Sequence, residues 1–243
     1  MATNRRKIVI WVGLLAVMAL LAGCSFGATV GSGKMATETR AVSGIEAVEF
    51  AFIGDMTIRQ GEEESLTISG DDNIVPLIKS EVNNDVLRIY APGVNLAQSV
   101  NPLRYELQVK DVNSVSLTGV GNIMAPALTA ERLAATVSGA GTLRVDELAA
   151  DVFAMNLTGL GDANIAGAVD RQEVNLSGAG NYFGGELRSG VADVTISGLG
   201  NASVWVTEKL DATISGAGSI EYTGDPQVTQ QVSGVGSVKA AEE

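Results

Sequence analysis

Three acidic residues occupy the same position in consecutive copies of an internal repeat. Glu173, Asp193 and Asp211 each stand four residues before the Ser/Thr of a Ser/Thr-Gly-x-Gly motif. If successive copies stack as neighbouring strands, the three carboxylates lie about 4.8 Å apart. Stacked carboxylates repel one another unless a cation or solvent screens them. This position therefore predicts either a Ca²⁺ site or a solvent-exposed acidic edge.

The residue that follows each motif forms a second, oxygen-rich column. Side chains of this kind can bind Ca²⁺, or they can form a hydrogen-bonded Asn/Ser ladder at a turn. Both interpretations stay open from the sequence alone. The residues at this position are Asn122, Thr142, Asp162, Asn181, Asn201, Ser219 and Ser237.

Paired carboxylates are also what the hydrolysis of a glycosidic bond requires. A carbohydrate-active hydrolase or lyase that uses the stacked acids is therefore one alternative. The chain has no histidine and one cysteine, which excludes His-dependent triads and His/Cys metal sites. We expect no catalytic residues and no cofactor apart from Ca²⁺. A lyase also needs a basic group, and we expect no basic cluster because the basic residues after position 110 differ in their offset from the motif: Arg132, Arg144, Arg171, Arg188, Lys209 and Lys239.

Two further partner classes are disfavoured. The net charge of −12 opposes binding to nucleic acid, whose phosphates require a basic face. The chain contains neither a Gly-x-Gly-x-x-Gly nor a Walker sequence, so we expect no nucleotide.

The repeat also indicates which elements position these residues. Before each motif, apolar and polar residues alternate with a period of two, which is typical of a strand with one buried face. A strand, a glycine corner and a second strand in every copy predict an all-β, right-handed parallel β-helix with coils of 18–20 residues. Residue x is apolar in every copy, and we expect the flanking glycines to turn it inward. The seven motifs start at Thr118, Ser138, Thr158, Ser177, Ser197, Ser215 and Ser233.

The outward positions of these strands predict a ligand face. The polar residues Asn156, Asn175, Thr195 and Thr213 would form a flat, uncharged surface suited to an extended glycan. Aromatic residues after the motifs are candidates for stacking on sugars, and the alternative is packing in the core or on a strand face. They are Tyr182, Phe183, Trp205 and Tyr222.

The N-terminus has the features of a lipoprotein signal. Arg5, Arg6 and Lys7 precede a 15-residue apolar run, which is shorter than the ~20 residues that span a bilayer. The run ends in Leu-Ala-Gly-Cys, so we expect cleavage before Cys24 and lipidation of its thiol. This divides the chain into a signal peptide (1–23), a lipidated cysteine with a flexible tether (24–40) and one domain (41–243). Within that domain, residues 41–117 would cap the repeats of residues 118–237.

The segments 48–58 and 86–90, together with the train of Ser-Gly-x-Gly copies, resemble the head GIN domain family. That family includes bacterial lipoproteins with β-helical folds that are classed as autotransporter-type adhesins. The resemblance covers about residues 45–240 and implies no catalytic residues that could be transferred to this chain.

Together these features predict a lipoprotein of the cell membrane or outer membrane that faces the periplasm or the cell exterior. We expect it to present a rigid acidic β-helix for adhesion to, or binding of, an extracellular or envelope glycan or protein. One alternative is the hydrolase or lyase above, and a second is a purely structural envelope protein.

Overall fold

The computed structural model describes residues 28–241. They form nineteen β-strands and one 3₁₀ helix (Val75–Leu77). No helix in this range has the length and apolar character needed to cross a membrane. The strands are β1 (Thr29–Val30), β2 (Met35–Ala41), β3 (Ala47–Phe50), β4 (Ile53–Gln60), β5 (Ser65–Asp71), β6 (Lys79–Asn83), β7 (Val86–Tyr90), β8 (Leu96–Gln98), β9 (Arg104–Val109), β10 (Ser114–Leu117), β11 (Val120–Ala125), β12 (Leu128–Val137), β13 (Ala140–Leu157), β14 (Leu160–Leu176), β15 (Tyr182–Ile196), β16 (Ala202–Ile214), β17 (Ala217–Thr223), β18 (Gln227–Val232) and β19 (Val235–Ala240).

From β10 onward the chain winds as a stack of parallel coils. Strands β12 to β16 each pair in parallel with the next coil, and equivalent repeat positions lie in register. The aliphatic residue before each of the first six motifs points inward, and Leu157, Leu176 and Ile196 are at most 2% exposed, whereas Val232 in the last coil is 42% exposed. The predicted all-β parallel β-helix is therefore confirmed, with about six turns. Its right-handedness stays a prediction.

The first coils are not assembled in sequence order. Strands β3 and β4 form a coil that pairs in parallel with β10 and β11 on one side. On its other side the same coil pairs in parallel with β7 and β9. The chain therefore forms the coil of residues 47–60 first and then the coil that contains β7 and β9. Afterwards it crosses to the other side of the coil of residues 47–60, where the motif repeats start.

Antiparallel strands cover the end of the solenoid near the N-terminus. Strand β2 pairs with β5, β5 with β9, and β6 with β7. The Thr37 hydroxyl bonds Ser69, and that of Thr39 bonds Thr67. Residues 35–40 thus belong to the sheet, and the predicted tether over residues 24–40 is wrong for this part. Small polar residues suit an exposed edge strand as well as a linker.

Asp71 fastens this cap. Its buried carboxylate accepts hydrogen bonds from the backbone N–H groups of Gly33 (2.9 Å), Val100 (2.9 Å) and Asn101 (3.2 Å). The Asn101 amide (2.7 Å) and the Ser99 hydroxyl (3.0 Å) also donate to it. One side chain therefore holds the loop after β1 against the loop after β8.

The glycine corners place residue x on the outside, so the predicted inward turn is wrong. Val120, Leu160, Leu199 and Val235 are 53%, 68%, 63% and 78% exposed. The glycines serve the stacking of coils instead. A Cβ on Gly141, whose φ is +150°, would lie 1.7 Å from the carbonyl oxygen of the equivalent glycine in the preceding coil.

Candidate ligand-binding groove

A groove of about 490 Å³ lies on the face formed by the strands that follow the motif. Its walls carry the ion-paired side chains Arg144 and Asp146, the amide of Asn164 and the ring of Phe183. A second hollow of about 440 Å³ shares Phe183 and continues toward the C-terminal coils. Lining residues of both hollows belong to one outward column in register across coils: Arg144, Asn164, Phe183, Ser203, Glu221 and Lys239. The same column begins at Met124, which lines neither hollow.

A β-bulge in β15 shapes the groove. From Asn164 to Ala166, β14 advances by two residues. The paired segment of β15, from Phe183 to Glu186, advances by three. Extra residues on one strand of a pair bend that strand and redirect its side chains. Gly184 permits this bend, because a Cβ there would lie 2.4 Å from the Tyr182 ring. The bulge places Glu186 in the groove wall.

Phe183 and its neighbour Tyr182 point in opposite directions. Phe183 is 47% exposed, whereas Tyr182 is completely buried and donates its hydroxyl to Gln172 Oε1 at 3.0 Å. Burial raises the pKa of Tyr182 well above its ordinary value. The prediction that Tyr182 contributes to a ligand face is therefore wrong, since neighbouring residues of a strand point to opposite faces and Phe183 is the one that points outward.

The acidic column is in register, as the stacking argument requires. Glu173 pairs with Asp193, and Asp193 with Asp211, in consecutive coils. Each carboxylate, however, has a side-chain cation as its partner. Arg171 bonds Glu173 at 3.2 Å and also bonds Asp193, while Lys209 Nζ lies 2.6 Å from Asp211. The Lys209 hydrogen bond holds the pKa of Asp211 below its usual value, against a smaller effect of burial.

These cations form a column of their own. Arg132, Arg171 and Lys209 all stand six residues before a motif, and they align in every second coil with Val152 and Val191 between them. The prediction that basic residues share no offset is therefore wrong. The screening that a Ca²⁺ ion would supply comes from the protein itself. Among residues 28–241, no three acidic side chains converge closely enough to hold a metal ion.

The column after the motif is a hydrogen-bonded ladder. Asp162 Oδ1 accepts from the backbone N–H (2.8 Å) and the side-chain amide (3.0 Å) of Asn181. Asn181 Oδ1 accepts the same two bonds from Asn201, and Asn201 Oδ1 accepts from the Ser219 N–H. These oxygens are committed to N–H donors, so the ladder interpretation is the one that the geometry supports.

The predicted ligand-face residues do not form one surface. Asn156, Asn175, Thr195 and Thr213 align in register on the strands before the motif, on the other side of the glycine corner from the groove. Trp205 is half-buried in β16, and Tyr222 packs against the core. Arg144, Asp146, Asn164 and Glu186 were missed as site residues. The signal for them was the Gly184-Gly185 pair, which lies outside the motif and marks the bulge.

Comparison with known proteins identifies the family. Residues 46–226 match the model described as "Putative auto-transporter adhesin, head GIN domain". The chain belongs to this family. No curated protein matches the sequence. The description supports an adhesion or binding role for this head GIN protein at the cell surface or envelope, while lipidation of Cys24 lies outside the described residues.

Solved structures share the fold of the head GIN protein. A "putative adhesin" from Bacteroides fragilis NCTC 9343 is 25% identical with a TM-score of 0.85, over 88% of this chain and 100% of the other. A "putative adhesin" from Parabacteroides merdae ATCC 43184 is 22% identical with a TM-score of 0.71, over 88% and 99%. A "putative lipid binding protein" from Parabacteroides distasonis ATCC 8503 is 22% identical with a TM-score of 0.73, over 88% and 99%. The last two likenesses concern the fold.

Proposed function

We propose that this head GIN protein is a non-catalytic adhesin that binds a neutral glycan in the groove around Phe183. A lipid on Cys24 would hold it at the cell envelope. The observation that carries the proposal is the exposed ring of Phe183 between two connected hollows. The other three phenylalanines of the described domain, Phe50, Phe52 and Phe153, are buried in the core.

The chemistry around Phe183 suits a sugar. A pyranose ring has an apolar face that can lie on an aromatic ring, and hydroxyl groups at its edge that need hydrogen-bond partners. Asn164 and Ser203 flank the ring on the neighbouring coils and offer an amide and a hydroxyl. These groups give direction and specificity, while the aromatic ring supplies contact area.

Charge favours a neutral ligand over a polyanionic one. The chain has 28 acidic and 16 basic residues. Within the groove, Arg144 is paired with Asp146, and in the second hollow Lys239 is paired with Glu221 at 3.3 Å. Both basic groups are therefore already neutralised, and an acidic polysaccharide would be repelled by the rest of the surface.

The same pairing supports binding rather than cleavage. A glycosidase needs one carboxyl group as an acid and a second one at a defined separation. The stacked acids Glu173, Asp193 and Asp211 lie on the strands before the motif and carry their own cations. In the groove, Asp146 is held by Arg144, which leaves Glu186 as the one acidic side chain of the wall without an ion pair among residues 28–241, whereas a glycosidase needs two carboxyl groups.

Glycan retention by matched variants tests the proposal. The chain with residues 1–24 removed keeps every strand described above and can be passed over immobilised neutral and acidic polysaccharides. We expect retention on a neutral glycan, and about a tenfold loss of affinity, ~1.4 kcal/mol, in Phe183→Ala. The matched control is Met124→Ala, an exposed residue of the same outward column that lies outside both hollows. Equal retention of both variants, or the appearance of new chain ends on the polysaccharide, would overturn the proposal.

A further inference from the structure

A line of aliphatic side chains, the larger of which are exposed, runs along the glycine corners. It consists of residue x of every motif together with the equivalent residue of the coil before them. Among residues 28–241, five of the twelve large apolar side chains that are exposed lie on this line, and the groove does not use them. This aliphatic ridge comprises Ile53, Val120, Ala140, Leu160, Ala179, Leu199, Ala217 and Val235.

Backbone hydrogen bonds hold neighbouring residues of the aliphatic ridge in register. The Leu160 N–H donates to the Gly139 carbonyl at 3.0 Å, and the Ala179 N–H donates to that of Gly159 at 3.1 Å. The same bond recurs at every corner of the motif coils. Eight residues at the strand spacing make a ridge about 34 Å long.

Side-chain size alternates along this line. From Val120 to Val235 the ridge reads large, small, large, small, large, small, large, with alanine in every second motif coil. A second copy laid antiparallel over the full length sets large residues against small ones at the inner positions. The pairs are Val120 with Ala217, Ala140 with Leu199 and Leu160 with Ala179, and the outermost pair is Ile53 with Val235. A parallel copy in register would set large against large.

The charge distribution also favours a second copy here. The motif residues beside the ridge are Ser or Thr in all seven copies, and the column on its other side is mostly Asn, Ser and Thr. The only charged residues in these two columns are Asp55 and Asp162, and on a molecule with a net charge of −12 this sparsely charged strip is where two identical chains approach with least repulsion.

We infer that two copies of the protein associate antiparallel along the aliphatic ridge. The ridge and its two flanking columns bury on the order of 400 Å² per copy, below the ~800 Å² per partner of a standard stable complex. The dimer is therefore weak and reversible in solution. Its two-fold symmetry makes each ridge meet itself, as an isologous interface requires.

Introduced cysteines report the orientation of the pair. The chain without residues 1–24 has no cysteine, so each new thiol is unique. A disulfide forms only where two Cα atoms approach within about 7 Å. A mixture of Val120→Cys and Ala217→Cys should yield the mixed disulfide, and neither variant should cross-link with itself. Self-cross-linking of Ala217→Cys would show a parallel pair and overturn the inference.

Sedimentation equilibrium tests the ridge without cross-linking. Up to near-millimolar concentration, the wild-type mass should rise toward that of a dimer, and Leu160→Ser/Leu199→Ser should stay monomeric. Met124→Ser, exposed but off the ridge, is the control and should follow wild type. Both ridge leucines are exposed, so circular dichroism should show an unchanged fold.

Three results would overturn the inference. They are a wild-type mass that never rises, a double variant that associates like wild type, and ridge-dependent binding to phosphatidylcholine vesicles by a protein that stays monomeric. Phe183→Ala should dimerise normally, so failure of this inference is distinguishable from failure of the glycan proposal.

Discussion

The carboxylate of Asp71 is ionised inside the cap because its neighbours are donors. Burial alone would raise its pKa, but hydrogen bonds from Asn101, Val100 and Ser99 outweigh that effect and hold the pKa below the usual value. A carboxyl group whose pKa is lower in the folded protein than in the unfolded chain stabilises the fold at pH values above its unfolded-state pKa of about 3.9. That stability is lost as the pH falls through the lower, folded-state pKa.

The first prediction concerns Asp71→Asn. The substituted amide places N–H groups against existing donors, so the melting temperature at neutral pH should fall by several degrees. The wild-type melting temperature should drop steeply below about pH 4, and the variant should show a flatter acid limb. Thermal unfolding between pH 7 and pH 2 measures both. Asp72→Asn, an exposed neighbour, is the control; if it changed the profile as much as Asp71→Asn, the explanation would fail.

Single residues show where sequence reasoning reaches its limit. Strand alternation implied that Tyr182 and Phe183 point to opposite sides, but it did not say which one points outward. The answer depends on the bulge at Gly184, and on Gln172 from another part of the same core, which receives the Tyr182 hydroxyl. Buried polar partners of this kind are set by packing, not by local spacing.

At the scale of strands, the column of acidic residues is stabilised by a neighbouring column of basic residues. Arg171 bridges Glu173 and Asp193 in neighbouring coils, so one cation screens two stacked acids. These side chains are 33–44% exposed, and solvent and salt therefore weaken each pair.

The second prediction is that Arg171→Ala creates a need for an external cation. At low ionic strength the melting temperature of this variant should fall by a few degrees, and millimolar Ca²⁺ should restore it. Wild type should show no such gain. Arg188→Ala, an exposed arginine without an ion pair among residues 28–241, is the control. A Ca²⁺-dependent gain in wild type that Asp193→Ala abolishes would instead establish a native calcium site.

Much of the architecture follows from the sequence because coils repeat. The period of 18–20 residues and the alternation before each motif predicted the parallel coils and the inward columns, including Leu157 and Leu176. The coil of residues 47–60 lacks the motif, and its position between two later coils depends on long-range pairing that no local pattern encodes. The outward orientation of residue x at each glycine corner likewise depends on contacts between neighbouring coils. The basic column, by contrast, follows from the sequence, because Arg132, Arg171 and Lys209 each stand six residues before a motif.

At the scale of the whole molecule, the third prediction concerns attachment. Wild type should incorporate labelled palmitate and enter the detergent phase of Triton X-114, and Cys24→Ser should do neither. Each buried methylene of an acyl chain contributes about 0.8 kcal/mol to membrane binding, whereas the acidic domain contributes none. Ser25→Ala retains the thiol and should behave as wild type. Membrane retention of Cys24→Ser would point to a spanning segment in the first 23 residues instead.

The position of β1 and β2 in the cap sets how an anchored molecule would stand. With β1 beginning at Thr29, four residues separate it from Cys24, so the Cα atoms of Cys24 and Thr29 lie at most about 17 Å apart. The capped end of the solenoid would lie next to the membrane that holds the lipid, and the last coils would point away from that membrane. In an antiparallel pair the two lipid-bearing N-termini lie at opposite ends. If both molecules stood perpendicular to their membranes, the two membranes would face each other. Association along the aliphatic ridge would then hold two cells about the length of one molecule apart.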